Sequence, residues 1–370
     1  MAEEKKKWTR GDVAEGILGA ALTAKFVNRP QSLTDKNIEI TKDMIDDILD
    51  DFFRKSTLIT YKAKDIIAKK GKVTLDDVNF SINLPEAATQ LLSVKSNRNI
   101  VHDLYDSAIS YVEETWKDEV MSFAINGQMD SIDIISDGVG DQKGTKADIK
   151  IIVNNQPYKR QISLKVAGGE QFAQISGFDF SKQQKIWEDI LKLNVSELEK
   201  KYNDALSNYD STKLFSSRKD EQLKAFKDMI KEATSIVYSD AAKQIQQKIN
   251  SKDSKFFTNL ANLVFMGATR GEESIELVKL EQRKFKQLKF NKDFVELYSN
   301  QLKKSKLIAK FSTDGDPIVK IYVGSELKQN LLLQIRTKVE APSKITKAGK
   351  MYSPYLRNLV EAGPLMFNLL

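Results

Sequence analysis

Asp148, Ser163 and Lys165 are the residues of this 370-residue chain whose types and spacing could do chemistry together. Asp148 opens the run Asp-Ile-Lys-Ile-Ile-Val at 148–153, and Ser163 and Lys165 lie in Gln-Ile-Ser-Leu-Lys-Val at 161–166. Both runs read as β-strands, joined by the polar stretch 154–160. Side chains alternate along a strand, so Ile162, Leu164 and Val166 share one face while Ser163 and Lys165 share the other. Paired antiparallel, the strands hold the Asp148 carboxylate near the Lys165 ammonium, away from the apolar row. An acid and a lysine on adjacent strands are the parts of a metal-dependent phosphodiesterase site. The competing reading is an ordinary amphipathic hairpin with its polar face in water.

The elements around the hairpin have to position it. Residues 8–27 read as a helix, with Val13, Ile17, Ala20, Ala21 and Ala24 at helical spacing and Glu15 in its first turns. Gly16, Gly19, Ala20 and Ala21 would let this helix lie close against a sheet. A second amphipathic helix spans 41–55, and 57–84 is strand-like, with clean alternation at 78–84. Pro85 opens another helix, residues 99–119 continue as helix, and the block from about 30 to 120 reads as a helical insertion. A strand at 129–137 then leads through the glycines at 138, 140 and 144 into the hairpin. Residues 168–177 read as a short helix carrying Gln171 and closed by Gly177. Residues 181–250 are helical, 254–266 form one more helix, and β-like runs follow at 275–279, 308–311, 317–323 and 331–338.

Composition narrows the chemistry. With no cysteine there are no disulfides, thiolate sites or cysteine nucleophiles, and with one histidine, His102, there is no multi-histidine zinc site. The glycines follow neither the dinucleotide-binding nor the phosphate-loop spacing. No apolar run approaches 18 residues, which predicts a soluble protein without membrane contact, in the cytoplasm. The Asn-, Lys- and Ile-rich composition hints at an AT-rich genome, such as that of a phage or its host. The net charge of +7 is concentrated: residues 251–370 hold 21 Lys and Arg against 12 Asp and Glu. That third is the candidate surface for DNA, with Arg336, Lys338, Lys347, Lys350, Tyr352 and Arg357 as contact residues.

The order helix, strand, strand, strand, helix, with an acid opening the second strand and Ser163-Leu164-Lys165 ending the third, resembles the PD-(D/E)XK nuclease superfamily. The run 144–149, Gly-Thr-Lys-Ala-Asp-Ile, is similar to that family's first motif, with Ala147 in place of its proline. The resemblance covers residues 8–27 and 128–177. It implies a mixed α+β or α/β chain with a restriction-endonuclease-like αβββαβ core, helical insertions and a C-terminal mixed β/α region. The core would occupy 1–180, a helical region 181–270, and a basic β-rich region 271–370. By the same resemblance, Asp148 and Glu15 would bind Mg²⁺ or Mn²⁺ together with the backbone carbonyl of Leu164. Lys165 would be the catalytic lysine, and Gln171 would join the site from the following helix.

Ser163 stands where the family carries its second acid, and a hydroxyl is a poorer ligand for a hard cation than a carboxylate. Glu15 or Glu170 would then complete the set. The expected activity is metal-dependent hydrolysis of DNA by a restriction-type endonuclease, with a homodimer as one way to cut both strands. The alternatives are a non-catalytic DNA-binding or structural protein on the same fold, and an interaction protein whose hairpin is only structural.

Overall fold

The computed structural model describes residues 10–30, 32, 34–56, 59–63, 66–126, 130–136, 147–166, 170–176, 184–195, 199–200, 219–269, 273–290, 293–313, 315–325, 328–340 and 355–362. The chain divides into two compact units that interleave in sequence. The first comprises residues 1–168 and 272–291, and the second 169–271 and 292–370. The fold is mixed α/β, with one sheet in each unit. Among the described residues no helix is long and apolar enough to cross a membrane.

The first unit opens with α1 (Arg10–Val27) and α2 (Lys42–Lys55). Thr41 caps α2 by accepting the Met44 N–H, and the apolar stripe Ile45, Ile48, Leu49 and Phe52 is buried. Next come β1 (Ile59–Ala63), β2 (Ile66–Leu75) and β3 (Val78–Pro85), followed by α3 (Glu86–Leu92). A 3₁₀ turn (Lys95–Val101), α4 (His102–Thr115) and α5 (Lys117–Asn126) lead into β4 (Ile132–Ser136). Then follow β5 (Ile149–Val153), the two-residue β6 (Gln156–Pro157) and β7 (Gln161–Val166). Asn154 and Asn155, both with positive φ, make the tight turn between β5 and β6. The strand β8 (Glu170–Ser176) belongs to the second unit, while β9 (Ile275–Glu281) and β10 (Lys284–Lys289) return to the first.

The sheet order is β1-β2-β3-β4-β5-β7-β9-β10, with β6 paired to β5. Strands β4, β5 and β7 form an antiparallel succession, and β9 lies parallel to β7. The block 30–120 is therefore more than a helical insertion, because β1–β3 extend the sheet and β3 lies parallel to β4. Helix α1 lies on this sheet against β3, β4 and β7. Its small residues permit the approach: a Cβ added at Gly19 would meet the Phe80 ring at 3.0 Å, and one at Gly16 would meet Leu92 at 2.8 Å and Ile82 at 3.1 Å. Val13, Ile17, Phe80, Ile82, Ile134, Ile149, Ile162 and Leu164 belong to one buried cluster. By alternation, α1 thus covers the face that carries Ile162 and Leu164.

In the second unit a π-helical turn (Lys185–Ile190) buries Trp187, and among the described residues α6 (Lys219–Asn250), α7 (Ser254–Thr269) and α8 (Phe294–Lys304) follow. The strands β11 (Leu307–Ser312), β12 (Ile318–Ser325), β13 (Lys328–Glu340) and β14 (Tyr355–Ala362) form an antiparallel sheet in the order β11-β12-β13-β14-β8. The helix expected at 168–177 is thus a strand. The backbone of β8 pairs with β14, about 180 residues later, and a partner so distant leaves no local periodic mark.

Candidate active site

The ladder between β5 and β7 brings Ile149 opposite Ile162, and the Asp148 N–H donates to the Ile162 carbonyl at 2.7 Å. Beyond that point a side chain replaces the backbone partner. The Leu164 N–H donates to Asp148 Oδ2 at 2.6 Å. Backbone N–H groups of a strand lie in the plane of the sheet, so the Asp148 carboxylate sits in the opening between the two strands. The same oxygen accepts from the Ser163 hydroxyl at 3.3 Å and from the Lys165 ammonium at 3.4 Å. Lys165 Nζ also donates to Ser163 Oγ at 3.2 Å and to the Leu164 carbonyl at 2.9 Å. Asp148, Ser163, Leu164 and Lys165 therefore converge as one hydrogen-bonded group.

The amphipathic hairpin with its polar face in water does not describe this arrangement. Ser163 is only 2% exposed. The side chains of Lys165 and Asp148 keep 23% and 31% exposure, so the carboxylate and the ammonium are the reachable parts of the group. Charge-assisted hydrogen bonds from Lys165 and two neutral donors hold Asp148 Oδ2 in place. A fixed carboxylate with an adjacent ammonium can bind a cation, orient a water molecule or meet a phosphate.

Glu15 is half-buried on α1. Gly16 lies at Ile82 and Leu84, and Gly19 at Phe80 and Ser136, which fixes the direction of the helix over the sheet. Ile82 pairs with Ser136, Ser136 with Ile149, and Ile149 with Ile162. The first turns of α1 therefore overlie the end of the sheet at which β5 enters and β7 leaves. Glu15 shares that end with Asp148 and Lys165, in the layer on the Ile162 and Leu164 face.

Gln171 stands on a strand, not on the helix expected to carry it. It lies on β8 in the sheet of the second unit, where its backbone pairs with Glu361. Of the expected DNA contacts, Arg336 is held by Glu361, with Nε at 2.9 Å from Oε2 and Nη2 at 2.9 Å from Oε1. Lys338 lies directly opposite Arg357 in the β13–β14 ladder. Lys347, Lys350 and Tyr352 fall outside the described residues.

A pair of residues unmarked in the sequence stands behind the site. Arg160, immediately before β7, reaches Glu276 on β9 at 2.9 Å and donates to the Thr115 carbonyl at 2.7 Å. Its guanidinium lies 4.0 Å from the Trp116 ring centre, and Tyr111 donates to Glu276 from α4. Burial pushes the Tyr111 hydroxyl up, and the Glu276 carboxylate adds to it. Each partner comes from a separate stretch of chain, so no motif signals them.

The donors suit a lightly held hard cation. Among the described residues no cluster of three or more His, Cys, Asp or Glu is placed to bind a metal ion. Mg²⁺ commonly uses one or two carboxylates, with waters and substrate phosphate filling its shell. Asp148 and the Leu164 carbonyl fit that smaller requirement, while Glu15 lies at the same end of the sheet in the layer opposite the Ser163 and Lys165 side chains. No protein-family model, curated protein or solved structure matches the chain.

Proposed function

We propose that this chain hydrolyses phosphodiester bonds of DNA with Mg²⁺ or Mn²⁺, as a restriction-type endonuclease of the PD-(D/E)XK kind. The observation that carries the reading is the Asp148 carboxylate in the opening between β5 and β7, with the Lys165 ammonium 3.4 Å away. The strand connectivity supports it in part: α1, the antiparallel β4, β5 and β7, then β9 parallel to β7 follow the strand order of a restriction-endonuclease-like core, with β8 where its second helix is expected. Asp148, Glu15 and the Leu164 carbonyl would hold the metal. When bound, the metal generates hydroxide and neutralises charge developing on the phosphate. Lys165 would orient the attacking water or stabilise the phosphorane oxygens. Ser163 would act through Lys165, holding its ammonium against Asp148. The setting of this reading is the cytoplasm, with a phage or its host as source, and a homodimer would account for cutting both strands.

The test is incubation with plasmid and single-stranded DNA in Mg²⁺, Mn²⁺ or EDTA. The expected result is cleavage that requires the metal, disappears in Asp148→Ala, and falls about 10²–10³-fold in Lys165→Ala. Cleavage that persists in EDTA, or in Asp148→Ala, would overturn the assignment.

A second reading is a non-catalytic DNA-binding protein on the same fold. The buried Ser163 hydroxyl favours it, because a hydroxyl satisfies Lys165 and Asp148 without supplying a second charged metal ligand. That reading expects salt-sensitive DNA binding with no cleavage in any metal. Absence of binding would end both readings.

A further inference from the structure

The sheet of the second unit has two unlike faces. One is covered by α6, which packs against β11, β12 and β13, and Tyr238 on α6 hydrogen-bonds Thr337 at 2.7 Å. Val319, Ile321, Leu333, Ile335 and Val360 are buried there. The opposite face carries Lys310, Lys320, Tyr322, Gln334 and Arg336. Lys310 is directly opposite Lys320 in the β11–β12 ladder. Like charges facing each other across a strand pair destabilise a sheet, so this arrangement works against the fold that contains it.

Among the described residues neither Lys310 nor Lys320 has a carboxylate partner. Glu361, on this face, is taken by Arg336 and Gln334. Lys310 is exposed, Lys320 and Tyr322 are half-exposed, and the Lys310 ammonium stands 5.9 Å from the centre of the Tyr322 ring. A second opposed pair of cationic residues, Lys338 and Arg357, recurs two ladders away.

We propose that this face binds the phosphate backbone of DNA through Lys310 and Lys320, with Tyr322 beside them. Two lysines directly opposite each other on adjacent strands, with no carboxylate partner among the described residues, match a polyanion whose charges are closely and regularly spaced. Counterions released from that polyanion on binding supply the driving force. The choice of DNA as the polyanion rests on the proposed function; the cationic face does not.

The experiment uses the full chain and a fluorescent duplex, with affinity followed from about 50 to 200 mM salt. The double variant Lys310→Gln, Lys320→Gln should lower the slope of log affinity against log salt by about 1.8, at about 0.9 for each phosphate no longer neutralised. Its melting temperature should be unchanged or higher, because the opposed charges are gone, and Lys310→Arg with Lys320→Arg should restore the slope. An unchanged slope in the Gln variant would overturn the proposal, as would failure of the wild type to bind DNA. Equal binding of wild type and Gln variant to DNA, with loss confined to anionic phospholipid vesicles, would assign the face to membranes instead. Wild-type DNA binding through these lysines without any cleavage would remove the nuclease reading and leave this one standing. Cleavage by the wild type together with an unchanged slope in the Gln variant would do the reverse.

Discussion

The two units use their charges in opposite ways. The first holds 29 Lys and Arg against 30 Asp and Glu, and the second 29 against 21. Burial separates them further. Among the described residues, Lys25, Asp46, Arg98, Glu276 and Lys279 are buried in the first unit, while Glu361 is the buried charged residue of the second. In the first unit, ions fasten element to element: Lys25 to Glu113 at 2.7 Å, Arg98 to Asp46 at 3.0 Å, and Arg160 to Glu276 at 2.9 Å. In the second unit, cations such as Lys310 stay at the surface. Buried charge fastens elements together in the unit that holds the candidate site, while in the other nearly all the charge stays outside the core.

The largest test of that contrast is Arg160→Ala. Removing one member of a buried pair leaves the other charged and unsolvated, at about 3–5 kcal/mol. Glu276 is 4% exposed and would lose its guanidinium partner while keeping Tyr111 and Gln287. Denaturant unfolding should show a loss of that size. Arg160→Lys should recover little of it, because a lysine cannot both fork onto Glu276 and stack on Trp116. A loss below about 1 kcal/mol, the range of surface ion pairs, would break the contrast.

How far the sequence carries is uneven, for physical reasons. Alternation in 148–153 and 161–166 predicts two paired strands, and the structure pairs them at Ile149 and Ile162. The stripe in α2 and the small residues of α1 are equally readable, because helix and strand periods are local properties. Gln171 is the counterexample. Its segment becomes a strand only because β14 supplies the partner backbone, and that pairing moves it into the second unit. The burial of Ser163 is equally invisible, since alternation says which side chains share a face and not whether that face is covered. The Arg160–Glu276 pair joins positions 116 residues apart, beyond the reach of any spacing rule.

A smaller effect bears on how α1 holds the site end of the sheet. Gly19→Ala should gain up to about 1 kcal/mol of helix propensity. Against that, the added methyl meets the Phe80 ring at 3.0 Å, and Phe80 is itself wedged against Phe52 at 5.5 Å between ring centres. Overpacking of this kind costs about 1–3 kcal/mol, so the net change should be a loss of about 1 kcal/mol. Thermal unfolding would read it. A gain in stability would mean that α1 can lift from β3 and β4, and would weaken the case that Glu15 is held over the end of the sheet.

The smallest effect concerns pH. Burial tends to raise the Glu119 carboxyl, but the hydroxyl of Tyr158 and the charges of Lys159 and Arg160 outweigh it and hold the group below the ordinary glutamate range. A depressed folded value adds stability at pH values above the unfolded one, near 4.3, and that stability is lost as pH falls through the folded value. Glu119→Gln should therefore be less stable than wild type at pH 7, and the difference should close as the pH drops below about 4. Urea unfolding of both proteins across that range makes the measurement. A difference that stays constant with pH would show that the amide loses packing or hydrogen bonds rather than charge, and that this corner of the first unit does not depend on ion pairing.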